Sequence, residues 1–289
     1  MPYVNLGHVV GEKGDRGPAS LSSDSIFALY VDEQGQLVAE YPQGGTDPST
    51  YLSVESGQLV YTYGAAEPDP VLANNDWDVI RAVCEAGNAS AYWSLGDTKH
   101  DVGTDFVPRM MRICDMQGLY GKHVVFEQVG QEATTAVWNQ SSNRDDDSHY
   151  NNYNISNMRT TVLPALLANY SASLSGQITN TTYKVAKNGN SSTILDLTDK
   201  LFLPAEKEIF GSQQYCRTEE ADALTWFALY QANNTTTFRI KYRSGSAAVW
   251  WERSPESGYA NNVCAVGDGG SAGSGSAYIS FGVSPCFAF

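Results

Sequence analysis

The C-terminal two-thirds of the chain is predicted to be an α+β domain, preceded by a short collagen-like segment and a small β-hairpin module. Three observations carry this. From residue 74 onward, a few short helical patterns stand among many short strand patterns. Residues 11–18 read Gly-Glu-Lys-Gly-Asp-Arg-Gly-Pro, with glycine at 11, 14 and 17. The tetrapeptide Gly-Gln-Leu-Val stands at residues 35–38 and recurs 22 residues later, at 57–60.

The bulk composition excludes several classes. The 289 residues suffice for one large domain or two modest ones. Only 17% are charged, so the surface is built largely from Ser, Thr, Asn, Gly and Gln, as in proteins that work outside cells. A net charge of −14 repels phosphates and argues against nucleic acid. No run approaches the roughly 20 apolar residues that span a bilayer. The start, Met-Pro-Tyr-Val-Asn-Leu, lacks the basic region and apolar core of a secretory signal. An exported composition without that signal fits a virion component, extracellular after lysis. Cys84, Cys114, Cys216, Cys264 and Cys286 are scattered and odd in number, and are read as small buried thiols rather than a disulfide framework. With no Cys-x-x-Cys pair and four separated histidines, no metal site and no cofactor are expected.

Residues 1–20 form the collagen-like or linker segment. Glycine at every third position is what the crowded axis of a triple helix requires, and a triple helix makes a trimer. Three triplets cannot hold one unaided, so a flexible glycine-rich linker is the other reading. In residues 21–64, Leu29–Val38 and Leu52–Val60 each read as strand, turn at glycine, strand. Two hairpins alone bury too little to be stable, which points to packing across chains. Residues 65–73 read as a linker and 74–289 as one mixed domain.

In that domain, Asn74 or Asn75 caps a helix over 76–85, with Gly87 as its stop. Residues 92–97 suggest a strand entering a turn, and Val124-Val125-Phe126 a second strand. A helix is expected from a Ser156 cap to Leu167, kinked or split at Pro164. Residues 171–195 suit loops or edge strands, and Leu201-Phe202-Leu203 a short buried strand. Residues 204–211 form a short helix opened by proline and closed by glycine. Strands follow at 238–242, 248–251, 263–266, 277–283 and 287–289.

Four stretches resemble a known family. They are Tyr92-Trp-Ser-Leu-Gly-Asp-Thr98; Trp138-Asn-Gln-Ser-Ser142 leading to Met158-Arg159; Leu201-Phe-Leu-Pro-Ala-Glu-Lys-Glu-Ile-Phe-Gly211; and Trp250-Trp-Glu-Arg-Ser-Pro255 with Phe281-Gly-Val-Ser-Pro285. In order over roughly 75–289, they resemble an uncharacterised domain of gut bacteria and their phages. That domain is similar to the formylglycine-generating-enzyme branch of the C-type-lectin fold, which includes variable receptor-binding proteins of diversity-generating retroelements. The resemblance implies that a Trp-x-Arg-Ser-like framework, here Trp250, Trp251 and Arg253, supports a partner-binding segment at 256–281. The family's closing Gly-Val-Arg-Pro is here Gly282-Val283-Ser284-Pro285, which leaves open what replaces the arginine.

Within that segment, Glu256, Tyr259, Asn261, Asn262, Asp268, Ser274, Tyr278 and Phe281 are the candidate contact residues. Tyrosine supplies rigid amphipathic area, while Asn and Ser adapt their hydrogen bonding. An ordinary glycine-rich surface loop is the plain alternative. Trp250 and Trp251 are read as core rather than a sugar platform, and Arg253 as a loop anchor bonded to a carboxylate or carbonyl. Asp145, Asp146 and Asp147 could gather oxygens for calcium, but lack the spacing and glycine of an EF-hand loop. The expected function is a homotrimeric tail- or head-fibre adhesin, not an enzyme. It would bind a host-surface protein or glycan and contact other virion proteins through its N-terminal region. Two alternatives stand beside it: a copper-dependent oxidase of the formylglycine-generating type, needing Cys264 near Cys286, and a structural decoration protein.

Overall fold

The computed structural model describes residues 68–132 and 135–289, together with the backbone of four earlier strands. The chain divides into two units, Met1–Glu67 and Pro68–Phe289. In the first, β1 (Ala28–Val31) pairs antiparallel with β2 (Leu37–Glu40), and β3 (Tyr51–Glu55) with β4 (Gln58–Thr62). These pairs fall on the two Gly-Gln-Leu-Val repeats. The glycine triplets at 11–17 lie outside the described residues, as do residues 65–67 of the linker.

The second unit begins at Pro68, earlier than the sequence suggests. Leu72 is buried, and the Trp93 indole donates to the Asp69 carbonyl at 3.0 Å. Asn75 does not cap α1 (Trp77–Glu85). Its side-chain amide instead pins the preceding turn, donating to Asp69 and Val71 carbonyls and accepting from the Asp69 N–H. Trp77, Ile80 and Cys84 form the buried face of α1, and Gly87, at φ +72°, lets the chain leave it. The strand expected at 92–97 is absent: α2 (Ala89–Tyr92) ends there, and the Ser94 N–H bonds the Asp97 carboxylate to make a turn. The strands that follow are β5 (Thr98–Val102), β6 (Pro108–Asp115), β7 (Val125–Gln128) and the two-residue β8 (Ala136–Val137).

The Ser156 hydroxyl accepts the Arg159 N–H and opens a π-helical turn, Met158–Val162, that runs into α3 (Leu163–Asn169). Pro164 sits where the π turn passes into α3, and having no N–H to bond the turn before it, it accompanies the change of helix type there. After α4 (Ala172–Ser175) come β9 (Thr181–Ala186) and β10 (Ile194–Asp199), a six-residue antiparallel hairpin that stands as its own two-stranded sheet, so β9 is an edge strand of the kind expected for 171–195. Residues 201–203 are buried, yet they join a sheet only through a bridge from Phe202 to Cys286. In α5 (Glu206–Phe210), the Glu208 carboxylate accepts the Ala205 N–H and Gly211 takes the left-handed conformation at the end. Two helices, α6 (Thr218–Asp222) and α7 (Ala228–Ala232), carry no signal read in the sequence. The strand expected at 238–242 is not formed: Phe238 and Arg239 end α8 (Thr236–Arg239), which the Thr235 hydroxyl caps through the Phe238 N–H, and only Tyr242 enters a strand. A tight hairpin, β11 (Tyr242–Arg243) and β12 (Ser246–Ala247), turns at Ser244 and Gly245, both at positive φ.

The chain closes with β13 (Trp250–Pro255), β14 (Asn262–Val266), β15 (Ala272–Ser276), β16 (Ser280–Phe281) and β17 (Cys286–Ala288). One antiparallel sheet has the order β17-β7-β6-β5, and a second has β13-β14-β15. Phe287 stacks on Phe126 at 5.2 Å, and Trp77 meets both edge-on, so β17 lies over the centre of the core. No helix among the described residues is long and apolar enough to cross a membrane.

A buried cation does stand beside Ser284, supplied from elsewhere in the chain. Lys241 Nζ reaches Ser284 Oγ at 2.8 Å, the Gln128 carbonyl at 2.9 Å and Glu127 Oε2 at 2.7 Å, over the face of Trp250. Arg112 and the Tyr230 hydroxyl complete the shell of Glu127. Burial pushes the Glu127 carboxyl up, but Lys241 and Arg112 outweigh it and bring it from the ordinary 4.5 down to about 2. As pH falls, the unfolded chain therefore takes up this proton first. The stabilisation, about 3 kcal/mol, is complete above pH ~4.5 and is lost as pH falls toward 2. We expect Glu127→Gln to lower stability at pH 7 and to flatten this part of the acid dependence, read by urea unfolding at pH 7, 4 and 3. Parallel curves for both proteins would contradict the assignment.

Candidate binding face

Every residue of β13 is buried, as for a strand covered on both faces. The Trp250 indole donates to the Arg239 carbonyl at 3.2 Å and that of Trp251 to Ala136 at 2.9 Å. Trp138 donates to the Glu252 carbonyl at 2.9 Å, so these three buried ring N–H groups are satisfied. Arg253 is fully enclosed. Its guanidinium makes a fork with Glu208, at 2.7 and 2.5 Å, and donates to the Leu203 and Lys184 carbonyls at 2.7 and 3.0 Å. Tyr120 donates to the same carboxylate, and the rings of Tyr183 and Phe202 lie beside the guanidinium. Burial opposes the charge on Arg253, but Glu208 and Tyr120 outweigh it and raise its pKa. One side chain thus ties β13 to α5, β9 and the 201–203 segment.

The loop leaving this strand is held from several sides. The Ser257 N–H donates to the Tyr215 carbonyl, that of Gly258 to Gly189, and that of Tyr150 to Ala260, each at 2.8 Å. The Asn151 side chain donates to the Tyr259 and Asn262 carbonyls at 2.9 and 2.8 Å. Gly189 fits beneath because it lacks a side chain: a β-carbon there would lie 2.2 Å from the Glu256 and Tyr259 carbonyl oxygens.

On this frame Tyr259 is 51% exposed at the loop tip, while Asn261, Asn262 and Tyr278 are partly exposed. The Ala277 N–H bonds the Asn261 carbonyl, which brings Tyr278 to the same end of the sheet as Tyr259. Ser274 lies on the edge strand β15 opposite Cys264. Asp268 is exposed, but in the turn at the far end of β14, roughly 15 Å away at strand spacing. Phe281 packs against Trp251 at 4.4 Å and is half-buried. Glu256 must be corrected: at 7% exposure its side chain points inward and is not displayed.

Sequence reasoning missed two members of this face. The Tyr150 ring meets Tyr278 edge-on at 4.7 Å, and the Arg144 guanidinium lies over the Tyr150 ring, 4.5 Å from its centroid. Partial burial and the neighbouring Tyr150 raise the Tyr278 hydroxyl pKa, so it stays a neutral donor. Nothing in the local pattern of 139–152 marks these residues; only the fold brings the segment beside the tail. In the same segment, Asp145 accepts the Asp147 and His149 N–H groups and the side chains of Asn152 and Asn188. Burial pushes this carboxyl up, but those bonds hold it lower, and they commit its oxygens to shaping the loop.

All five cysteines are buried and free. Cys264 lies with Cys216, whereas Cys286 neighbours Cys114, so the fold does not make the Cys264–Cys286 pair.

The profile of a family described as a domain of unknown function, DUF6273, matches residues 123–289. No curated protein matches the chain, and no solved structure does.

The packing at Gly189 yields a test. We expect Gly189→Ala to cost about 1–3 kcal/mol and to shift the amide resonances of Tyr259 and Ala260. Gly269→Ala, where a β-carbon meets open space, serves as the control. Equal behaviour of the two variants would mean the loop is not clamped there.

Proposed function

We propose that the chain, which belongs to the DUF6273 family, is a fibre adhesin of a virion that contacts a host-surface protein or glycan through the Tyr259–Tyr278 end of its C-terminal domain. One observation carries the reading. An exposed tyrosine, a second tyrosine packed edge-on against Tyr150 beside Arg144, and the Asn261–Asn262 amides converge at one end of a sheet whose supporting loop is bound on several sides. Such a set presents amphipathic aromatic area with little freedom left to lose on binding, as a preorganised paratope does. Tyr and Arg are also the residue types most often found at binding hot spots.

The N-terminal strand pairs and glycine triplets support assembly as a homotrimer attached to other virion proteins. Three copies would turn weak single contacts into avidity. The oxidase reading has less support, since Cys264 and Cys286 take different partners.

The test uses the labelled full chain on a panel of gut bacterial isolates. We expect saturable binding to a subset of strains. Tyr259→Ala/Tyr278→Ala should weaken it at least tenfold, consistent with loss of about 1.4 kcal/mol or more per contact set, with the melting temperature nearly unchanged. Binding that survives the double substitution would move the site elsewhere. Binding to no strain would favour a structural decoration role.

A further inference from the structure

Beneath the binding face, four separate segments bring acids and thiols together in the interior. Glu206 from α5, Glu252 from β13 and Cys264 from β14 place one ligand atom each within 4.8 Å of one another, and all three residues are buried. Cys216, from the loop between α5 and α6, donates its backbone N–H to Glu206 at 2.8 Å and packs against Cys264.

The charges of this group are not balanced by its surroundings. Arg253, the cation on the same strand, is committed to Glu208. Glu206 is held by the N–H groups of Gln214, Tyr215 and Cys216. Glu252 is fully buried, and among the described residues neither of its carboxylate oxygens has a hydrogen-bond partner. An orphaned buried carboxylate is among the costliest groups a core can hold. Its aim toward a second carboxylate and a thiol is the arrangement a divalent cation satisfies.

We propose that Glu206, Glu252 and Cys264 bind a structural zinc ion. Thiolate selects a borderline-soft cation over calcium or magnesium, and mixed sulfur and carboxylate donors suit zinc. The ion would cross-link α5, β13 and β14. Because the site is closed, it would be loaded as the chain folds. No spacing motif marks it in the sequence, since its ligands lie 46 and 12 residues apart. The proposal is independent of the adhesin reading.

The test is refolding of the full chain from denaturant with either zinc or a chelator, followed by gel filtration and metal analysis. We expect one zinc ion per chain in the wild type and none in Glu252→Leu or Cys264→Ser. With zinc present, the wild type should melt above Glu252→Leu. With chelator the order should invert, because leucine then replaces an orphaned acid. Refolding with cobalt should give thiolate-to-metal absorption in the wild type, a readout available even if a variant fails to fold. Metal-free wild type after refolding with zinc would overturn the site and leave Glu252 a buried neutral acid. So would equal metal content in the wild type and both variants.

Discussion

The enclosed Arg253–Glu208 pair is the interaction on which the rest of the domain depends. A buried ion pair need not stabilise more than apolar residues of the same volume, but losing one partner leaves a bare charge in the core and costs about 3–5 kcal/mol. Here the pair is also a junction. The guanidinium satisfies the carbonyls of Leu203 and Lys184, and the carboxylate accepts the Ala205 N–H at the start of α5 and the Tyr120 hydroxyl. The strand carrying Arg253 is therefore fixed in position and rotation, and its orientation decides where the chain goes after Pro255. A fork is geometrically demanding in a way a lysine ammonium is not, so this place needs arginine specifically.

The displayed end of the domain inherits its order from that junction. The loop after β13 makes few contacts with itself; its backbone groups bond to Tyr215, Gly189, Tyr150 and Asn151, from three other parts of the chain. The aromatic and amide side chains at its surface thus rest on a scaffold of different sequence origin. Changes to the exposed side chains would leave that scaffold in place.

Much of this was legible in the sequence, and the failures have physical causes. The repeats at 35–38 and 57–60 mark strand pairs because alternation and a turn glycine are local signals. The helix at 206–210 was legible for the same reason, with proline before it and Gly211 after. The segments at 92–97 and 238–242 read as strands from their aromatic and β-branched content, but local caps and turns decide their form. The role of Arg253 was readable from residue chemistry, whereas its carboxylate partner, Glu208, lies 45 residues away. Glu256 was misplaced because a polar residue at a strand end is usually solvated, and here the loop folds over it. Tyr150 and Arg144 join the face only through tertiary contact, which no spacing encodes.

Native-state hydrogen exchange tests most directly whether the face is a built, rigid surface. The amides of Arg253, Gly258, Ala277 and Gly282 bond to Pro204, Gly189, Asn261 and Val249. They should exchange only with the global unfolding that releases the central β6 amides, and their rates should follow global stability across denaturant. If Gly258 and Ala277 instead exchange through local openings, fast and insensitive to denaturant, the tail is a loose loop and the framework does not organise it.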